Sequence, residues 1–244
     1  VPIEAGRPEP ENNRYLSYML KEREIKAVYP YRNQEGQLLG YVVRIEDKEG
    51  FKITPTLSYC QNEEGQQHWK WKGFEGSRPL YGLDRLETNK PVLIVEGEKA
   101  ADAAQKILPD YAVLSWPGGA NAVQKANWSP LMGREVAIWP DNDETGLKAS
   151  EKIRETLGQL DQLQGIKTAV KIVDLPKDLP EKWDLADTLP KNLSLDKVKE
   201  LIAPLSHNPE KELSWQDLLA KRMREDADRQ MRQATGRGID EYEA

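Results

Sequence analysis

A single cysteine, Cys60, stands in 244 residues. That excludes an internal disulfide and any CxxC metal knuckle, and with them zinc-ribbon and paired-thiol redox chemistry. The two histidines, His68 and His207, lie too far from each other and from Cys60 in sequence to mark a site. Long apolar runs are also missing. The longest, Val92 to Val95, falls far short of the ~20 residues of a membrane span. No N-terminal stretch has the basic-then-apolar order of a signal peptide, so a cytoplasmic protein without a membrane partner is expected. Apolar residues make up 38% and charged residues 31% of the chain, so much of it must face water. The net charge of −6 argues against a surface that wraps nucleic acid on all sides. A local basic groove, or carboxylates gathered to hold cations, is compatible with the same sum. The chain starts at Val1 rather than Met, which suggests one module of a larger protein.

Four stretches follow from composition and periodicity. Residues 1–14 (VPIEAGRPEPENNR) have little to bury and are expected to be a flexible leader. Residues 15–90 form a β-rich subdomain, opened by a short helix over Tyr15–Arg23. The runs IKAVYPYR, LLGYVVRIE, GFKITPTLSY and QHWKWKG are separated by NQEG, DKEG and NEEG, which is hairpin chemistry, so an antiparallel sheet of about four strands is expected. Residues 91–204 change rhythm. PVLIVEGEKAADAAQKI, YAVLSWPGGANAVQKA and REVAIWPDNDETGLKASEKIRETL each place an apolar run before a helix-period segment, and KTAVKIVDLP adds a fourth run. That order predicts an α/β unit with a parallel sheet over Val92–Val95, Ala112–Ser115, Val136–Trp139 and Ala169–Val173. Right-handed crossovers put the strand C-termini, where ligands bind, on one edge. A short helix is expected over Leu195–Ile202. Residues 205–244 read as a linker and a charged C-terminal helix from about Trp215 to Gln233.

Three of the predicted strand ends carry Glu96-Gly97-Glu98, Pro117-Gly118-Gly119 and Asp141-Asn142-Asp143. Carboxylates from two strand ends, with no His or Cys nearby, suit Mg²⁺ or Mn²⁺ and a phosphorylated ligand. A plain alternative for Asp-x-Asp before a helix is an N-cap. Gly118 and Gly119 fit either a tight turn or a close backbone approach to phosphate. Lys99 and Lys148 are placed to touch phosphate or to solvate helix surfaces. Upstream, alternation in HWKWK puts Trp69 and Trp71 on one face and His68, Lys70 and Lys72 on the other. With Lys52 and Arg78 these lysines make a candidate track for single-stranded nucleic acid, or an ordinary amphipathic strand with tryptophans inward.

VLIVEGEKAADAA, a WPGG turn and VAIWPDNDETGLKA together resemble the Toprim domain of primases, topoisomerases and certain nucleases. The spelling is closest to primases and primase-helicases of phages, plasmids and other mobile elements. The likeness spans Pro91 to Leu189, and RPLYGLDRL is similar to the end of the subdomain that precedes Toprim in primases. The resemblance implies a mainly parallel four-stranded sheet flanked by helices, preceded by the small antiparallel subdomain. It implies Glu96, Asp141 and Asp143 as catalytic, metal-holding residues, with Asp184 and Asp187 of WDLAD as further ligands at a looser spacing. The family's additional acid after the first Glu falls on Ala100; the nearest acids are Glu98 and Asp102. Gly97, Lys99, Gly118, Gly119 and Lys148 become nucleotide-binding candidates, and Lys52, Lys70, Lys72 and Arg78 nucleic-acid-binding ones. The implied activity is DNA replication priming: RNA synthesis from NTPs on single-stranded DNA, with Mg²⁺ or Mn²⁺ and with a helicase or zinc-binding module outside this chain. A Toprim nuclease and a non-catalytic DNA-binding module of a mobile-element protein are the alternatives.

Overall fold

Two sheets of opposite character meet across one helix. The computed structural model describes residues 20–203 apart from 22, 62, 89, 177 and 182, all within one compact unit, Val1–Leu205. The leader, most of the helix expected over Tyr15–Arg23, the linker and the charged C-terminal helix lie outside the described residues, as does His207. Among the described residues no helix is long and apolar enough to cross a membrane.

The first sheet is antiparallel, with β1 (Arg23–Arg32), β2 (Leu38–Asp47), β4 (Thr56–Gln61) and β5 (Gln67–Trp71) in the order β1-β2-β4-β5. β3 (Lys52–Ile53) pairs β2 off this path. The run GFKITPTLSY, expected as one strand, is thus split into β3 and β4. Pro55 lies in the gap between them; it has no N–H for a ladder, and its carbonyl accepts from Val43 N at 3.0 Å.

The second sheet is parallel, with β6 (Val92–Val95), β7 (Ala112–Leu114), β8 (Glu135–Trp139) and β9 (Ala169–Ile172) in the order β7-β6-β8-β9. This is the expected fold class: a four-stranded parallel sheet with helices, preceded by an antiparallel one. Helix α1 (Glu98–Ile107) follows β6, α2 (Glu144–Gln164) follows β8, and α3 (Leu195–Ile202) closes the described chain. After β7 the expected helix is absent. Two 3-10 turns, Ala120–Lys125 and Ser129–Leu131, stand in its place. Gly118 and Gly119 enter the first at φ 96° and 69°, and the Trp128 indole N–H donates to the Val123 carbonyl at 2.8 Å between the two turns.

Strand alternation divides the parallel sheet between two cores. Leu93, Val95, Val113, Ala137 and Trp139 face α1 and α3, while Val92, Ile94, Leu114, Val136 and Ile138 face Ile153 and Leu157 of α2. The first core also takes Tyr29, Tyr31 and Val42 from the antiparallel sheet. Two tyrosine hydroxyls then tie that assembly to α1. Tyr31 donates to Glu98 Oε1 at 2.7 Å. One turn along the helix, Tyr81 donates to Asp102 Oδ1 at 2.9 Å, and Arg85 reaches the same oxygen at 2.5 Å. Burial pushes the Glu98 carboxyl up, and the Tyr31 hydroxyl opposes the shift.

Tyr31→Phe removes only the hydroxyl that serves Glu98. A hydrogen bond to a charged group is worth about 1.5–3 kcal/mol, so a loss of that size is expected as a lower urea midpoint at unchanged slope. An unaltered midpoint would mean the contact contributes nothing.

Candidate active site

The parallel register aligns Val95 with Trp139, so Glu96 and the Pro140-Asp141 step leave the sheet side by side at its carboxyl edge. Glu96 is half-buried, and its Oε1 accepts from the Ala120 backbone N–H at 3.1 Å. That donor belongs to the turn after β7, so all three strand ends meet at this point. A Cβ on Gly119 would stand 3.5 Å from the same carboxylate oxygen, and one on Gly118 would fall 2.9 Å from both Ala122 Cβ and Arg78 Nη1. The Trp116 indole N–H holds the turn closed on the Gly119 carbonyl at 2.8 Å.

The three residues of the Asp-Asn-Asp motif divide the labour. Asp143 is the N-cap of α2: its Oδ1 accepts from Gly146 N at 2.8 Å. Asn142 turns away and donates from Nδ2 to the carbonyls of Leu179 and Pro180. Asp141 stays at the edge, backed by Gly146, where a Cβ would come within 2.6 Å of the Asp141 carbonyl. Burial, and then the negative charges of Glu96, Asp184 and Asp143, push the Asp141 carboxyl up to about 7, with Lys52 pulling weakly the other way. Glu96 is also raised, chiefly by burial and secondarily by Asp143, against the Ala120 hydrogen bond and Lys52. The electrostatics therefore bring together Glu96, Asp141, Asp143, Asp184 and Lys52.

The remaining candidates are placed as follows. Asp187 is exposed and accepts from Asp184 N at 3.2 Å, while Asp184 Oδ1 accepts from Ala186 N at 2.6 Å; both carboxylates shape that turn. Gly97, at φ 83°, is the N-cap of α1, and its carbonyl takes the Ala101 N–H at 3.1 Å. Lys99 is exposed on the first turn of α1. Lys148 is exposed and paired with Glu144 at 2.6 Å, the solvated alternative for that residue. Lys72 is paired with Glu75. Arg78 leaves the strand face and lies along the WPGG turn, with Nη1 3.4 Å from the Pro117 carbonyl.

Cross-strand partners share a face. Tyr31 faces Gly40, Gly40 faces Ser58, and Ser58 faces Lys70. Lys70 therefore lies on the face that carries buried Tyr31, toward α1. Lys52, opposite Glu46, lies on that face too. Trp69 and Trp71 sit on the other face, where Trp69 packs between Tyr41 and Tyr59 at ring distances of 5.5 and 5.0 Å. The amphipathic alternative holds in burial: Trp69 and Trp71 are half-buried, Trp71 against a small core of Val43 and Ile45, while Lys70 and Lys72 are exposed; Lys70 nonetheless lies on the face that also carries Tyr31.

The donors fit a hard divalent cation in kind, being carboxylate oxygens that crowd one another. Among the described residues no group of three His, Cys, Asp or Glu side chains is placed to hold a metal ion. Mg²⁺ is held through one or two carboxylates with water and phosphate completing its shell, and so does not need one.

One family model matches residues 12–142, more than half of the chain: the domain of unknown function DUF6371. The chain belongs to that family. The matched span ends inside the Asp141–Asp143 motif. No curated protein matches. Among solved structures, the primase fragment of the bacteriophage T7 primase-helicase aligns at 21% identity over 65% of this chain and 55% of its own, with a TM-score of 0.43. A DNA primase domain from Pseudomonas aeruginosa aligns at 18% over 65% and 44%, with a TM-score of 0.42. The Aquifex aeolicus primase, comprising zinc-binding and RNA polymerase domains, aligns at 18% over 89% and 50%, also at 0.42. This DUF6371 chain spans about half the length of these structures. Likeness at this level assigns no activity, which has to come from the side chains themselves.

The raised Asp141 carboxyl carries a pH signature. Below its ordinary value of 3.8 it is protonated in both folded and unfolded chains. As pH rises from there to about 7 the unfolded chain ionises first, so native stability falls; above that the loss is constant. Asp141→Asn abolishes this loss. In chelator it is expected to melt at least ~2 °C above the parent at pH 8 and level with it near pH 3.5. An equal Tm at pH 8 would mean that Asp141 is not under electrostatic strain.

Proposed function

We propose that this chain is the Toprim-type catalytic core of a DNA primase of the mobile-element type, making RNA primers from NTPs on single-stranded DNA with Mg²⁺ or Mn²⁺. The observation that carries the reading is the meeting of Glu96 and Asp141 at one sheet edge, with Asp141 raised by burial and then by the charges of Glu96, Asp184 and Asp143. Carboxylates forced together at such a cost to the free protein suit a site completed by a cation.

In this reading Glu96 and Asp141 hold the cation with Asp184 beside them, Asp143 fixes the turn that presents Asp141, and Asp187 shapes the loop behind Asp184. When bound, the cation supplies charge neutralisation at the phosphates of the incoming nucleotide. The backbone at Gly97, Gly118 and Gly119 approaches those phosphates without side-chain obstruction, with Arg78 and Lys99 beside it. Lys148 remains a helix-surface residue in the free chain that exchanges Glu144 for phosphate. Lys52 and Lys70, on one face of the antiparallel sheet, follow the template backbone, with Lys72 exchanging Glu75 for phosphate. Residues 15–90 form the template-binding subdomain and residues 91–204 the Toprim domain. A helicase or zinc-binding module outside this chain is the partner in this reading, and the setting is the cytoplasm, where NTPs and replicating DNA are found.

The test is incubation with labelled NTPs, single-stranded DNA and Mn²⁺, beside labelled DNA alone. New RNA that is lost in Asp141→Asn is expected. Shortened DNA would replace priming with the nuclease reading, and neither product would leave a binding module. A salt titration of single-stranded DNA binding checks the template face: with Lys52 and Lys70 both changed to Ala, the slope of log K against log salt is expected to flatten by ~1.4 for two lost phosphate contacts. An unchanged slope removes these lysines from the track.

A further inference from the structure

Asn142 lies between the two aspartates yet contributes nothing to the carboxylate edge. Its amide instead closes on the loop after β9. Nδ2 donates to the Leu179 carbonyl at 2.9 Å and to the Pro180 carbonyl at 2.8 Å. An amide nitrogen has two hydrogens, so one side chain satisfies two successive loop carbonyls.

Downstream, the loop is seated by packing. Leu179, Trp183 and Leu185 are buried, the Trp183 ring lies 6.1 Å from that of Trp139 at the end of β8, and the Trp183 indole N–H donates to the Thr188 carbonyl at 3.2 Å. Asp184 falls between two of these buried anchors, half-buried itself, and directly follows the tryptophan that packs on Trp139, two residues before Asp141. The Trp139–Trp183 contact fixes the loop laterally, and the Asn142 amide fixes it at the strand exit.

We infer that Asn142 is a positioning residue: by gripping the Leu179 and Pro180 carbonyls it holds the acidic loop against the sheet edge and brings the Asp184 carboxylate to the divalent cation proposed for Glu96 and Asp141. The inference rests on that cation reading and adds to it a division of roles within Asp-Asn-Asp, in which one residue binds, one recruits a distant ligand and one caps a helix.

The experiment is Mn²⁺ affinity of the whole chain, read from the free-ion signal by electron paramagnetic resonance, for the parent, Asn142→Ala, Asp184→Asn and the double variant. Removing a group that orients a ligand costs about 10–100-fold in metal affinity, so each single variant is expected to bind at least about tenfold more weakly than the parent. The double variant is expected to bind no more weakly than Asp184→Asn alone, because residues that act through one another are not additive. Asn142→Ala with parental Mn²⁺ affinity and only a lower Tm overturns the inference, since the amide then merely holds a loop. Additive losses overturn it too, since Asn142 then acts without Asp184. A parent chain that binds no Mn²⁺ sinks the cation reading and the inference together, whereas a parent that binds with Asn142→Ala unaffected sinks the inference alone. If Asn142→Ala does not fold, Asn142→Ser, which suits a turn and is too short for the double contact, is read by the same criteria.

Discussion

Burial of carboxylates at the carboxyl edge of the parallel sheet, compounded by their mutual repulsion, is the constraint that the surrounding structure has to resist. Glu96 and Asp141 emerge from paired strands, and Asp184 and Asp143 add their charge to that of Glu96 on buried Asp141. The protein holds them by backbone means. An amide from the turn after β7 fixes Glu96, the first turn of α2 fixes Asp143, and close approach of Gly146 leaves Asp141 no room to retreat. The first device comes from the turn after β7, and the other two from the first turn of α2.

The same economy joins the two sheets. Glu98 and Asp102 lie one turn apart on α1 and accept from Tyr31 and Tyr81, with Arg85 as a second donor to Asp102. Glu98 is therefore engaged with the antiparallel sheet through Tyr31, and Asp102 with Tyr81 and Arg85 of the segment that follows that sheet, rather than in enlarging the carboxylate group. Because α1 begins directly after Glu96 and Gly97, the Tyr31–Glu98 bond joins the antiparallel sheet to the chain two residues beyond the first carboxylate.

Much of this was legible in the sequence because it is local. The apolar run Val92–Val95 is β6 as read, α3 occupies Leu195–Ile202, and the acidic strand ends do share an edge. Pro55 was a visible signal for splitting the third hairpin run, and Gly118-Gly119 for replacing a helix with a 3-10 turn. The rest depended on partners far apart in the chain. Tyr31 and Glu98 are 67 residues apart and Asn142 and Leu179 37 apart, and no periodicity announces such a pair. Nor does alternation say what each face of a strand meets: HWKWK separates Trp69 from Lys70 correctly, but only the pairing through Ser58 and Gly40 shows that exposed Lys70 shares its face with buried Tyr31, while Trp71 packs on a second small core on the other face.

Asp141 and Asp143 differ in what folding asks of them, and that difference bears on how the family's sequences are to be compared. At position 143 the fold needs a capping side chain, a demand that Asn or Ser meets about as well as Asp. At position 141 it needs none, and an uncharged residue would sit there more comfortably. An exchange of Asp143 for Asn among relatives is therefore silent about use. Drift toward neutrality is the path of least resistance at 141, so an aspartate retained there across divergent DUF6371 sequences would be kept by selection on what the edge does, against the pull of stability.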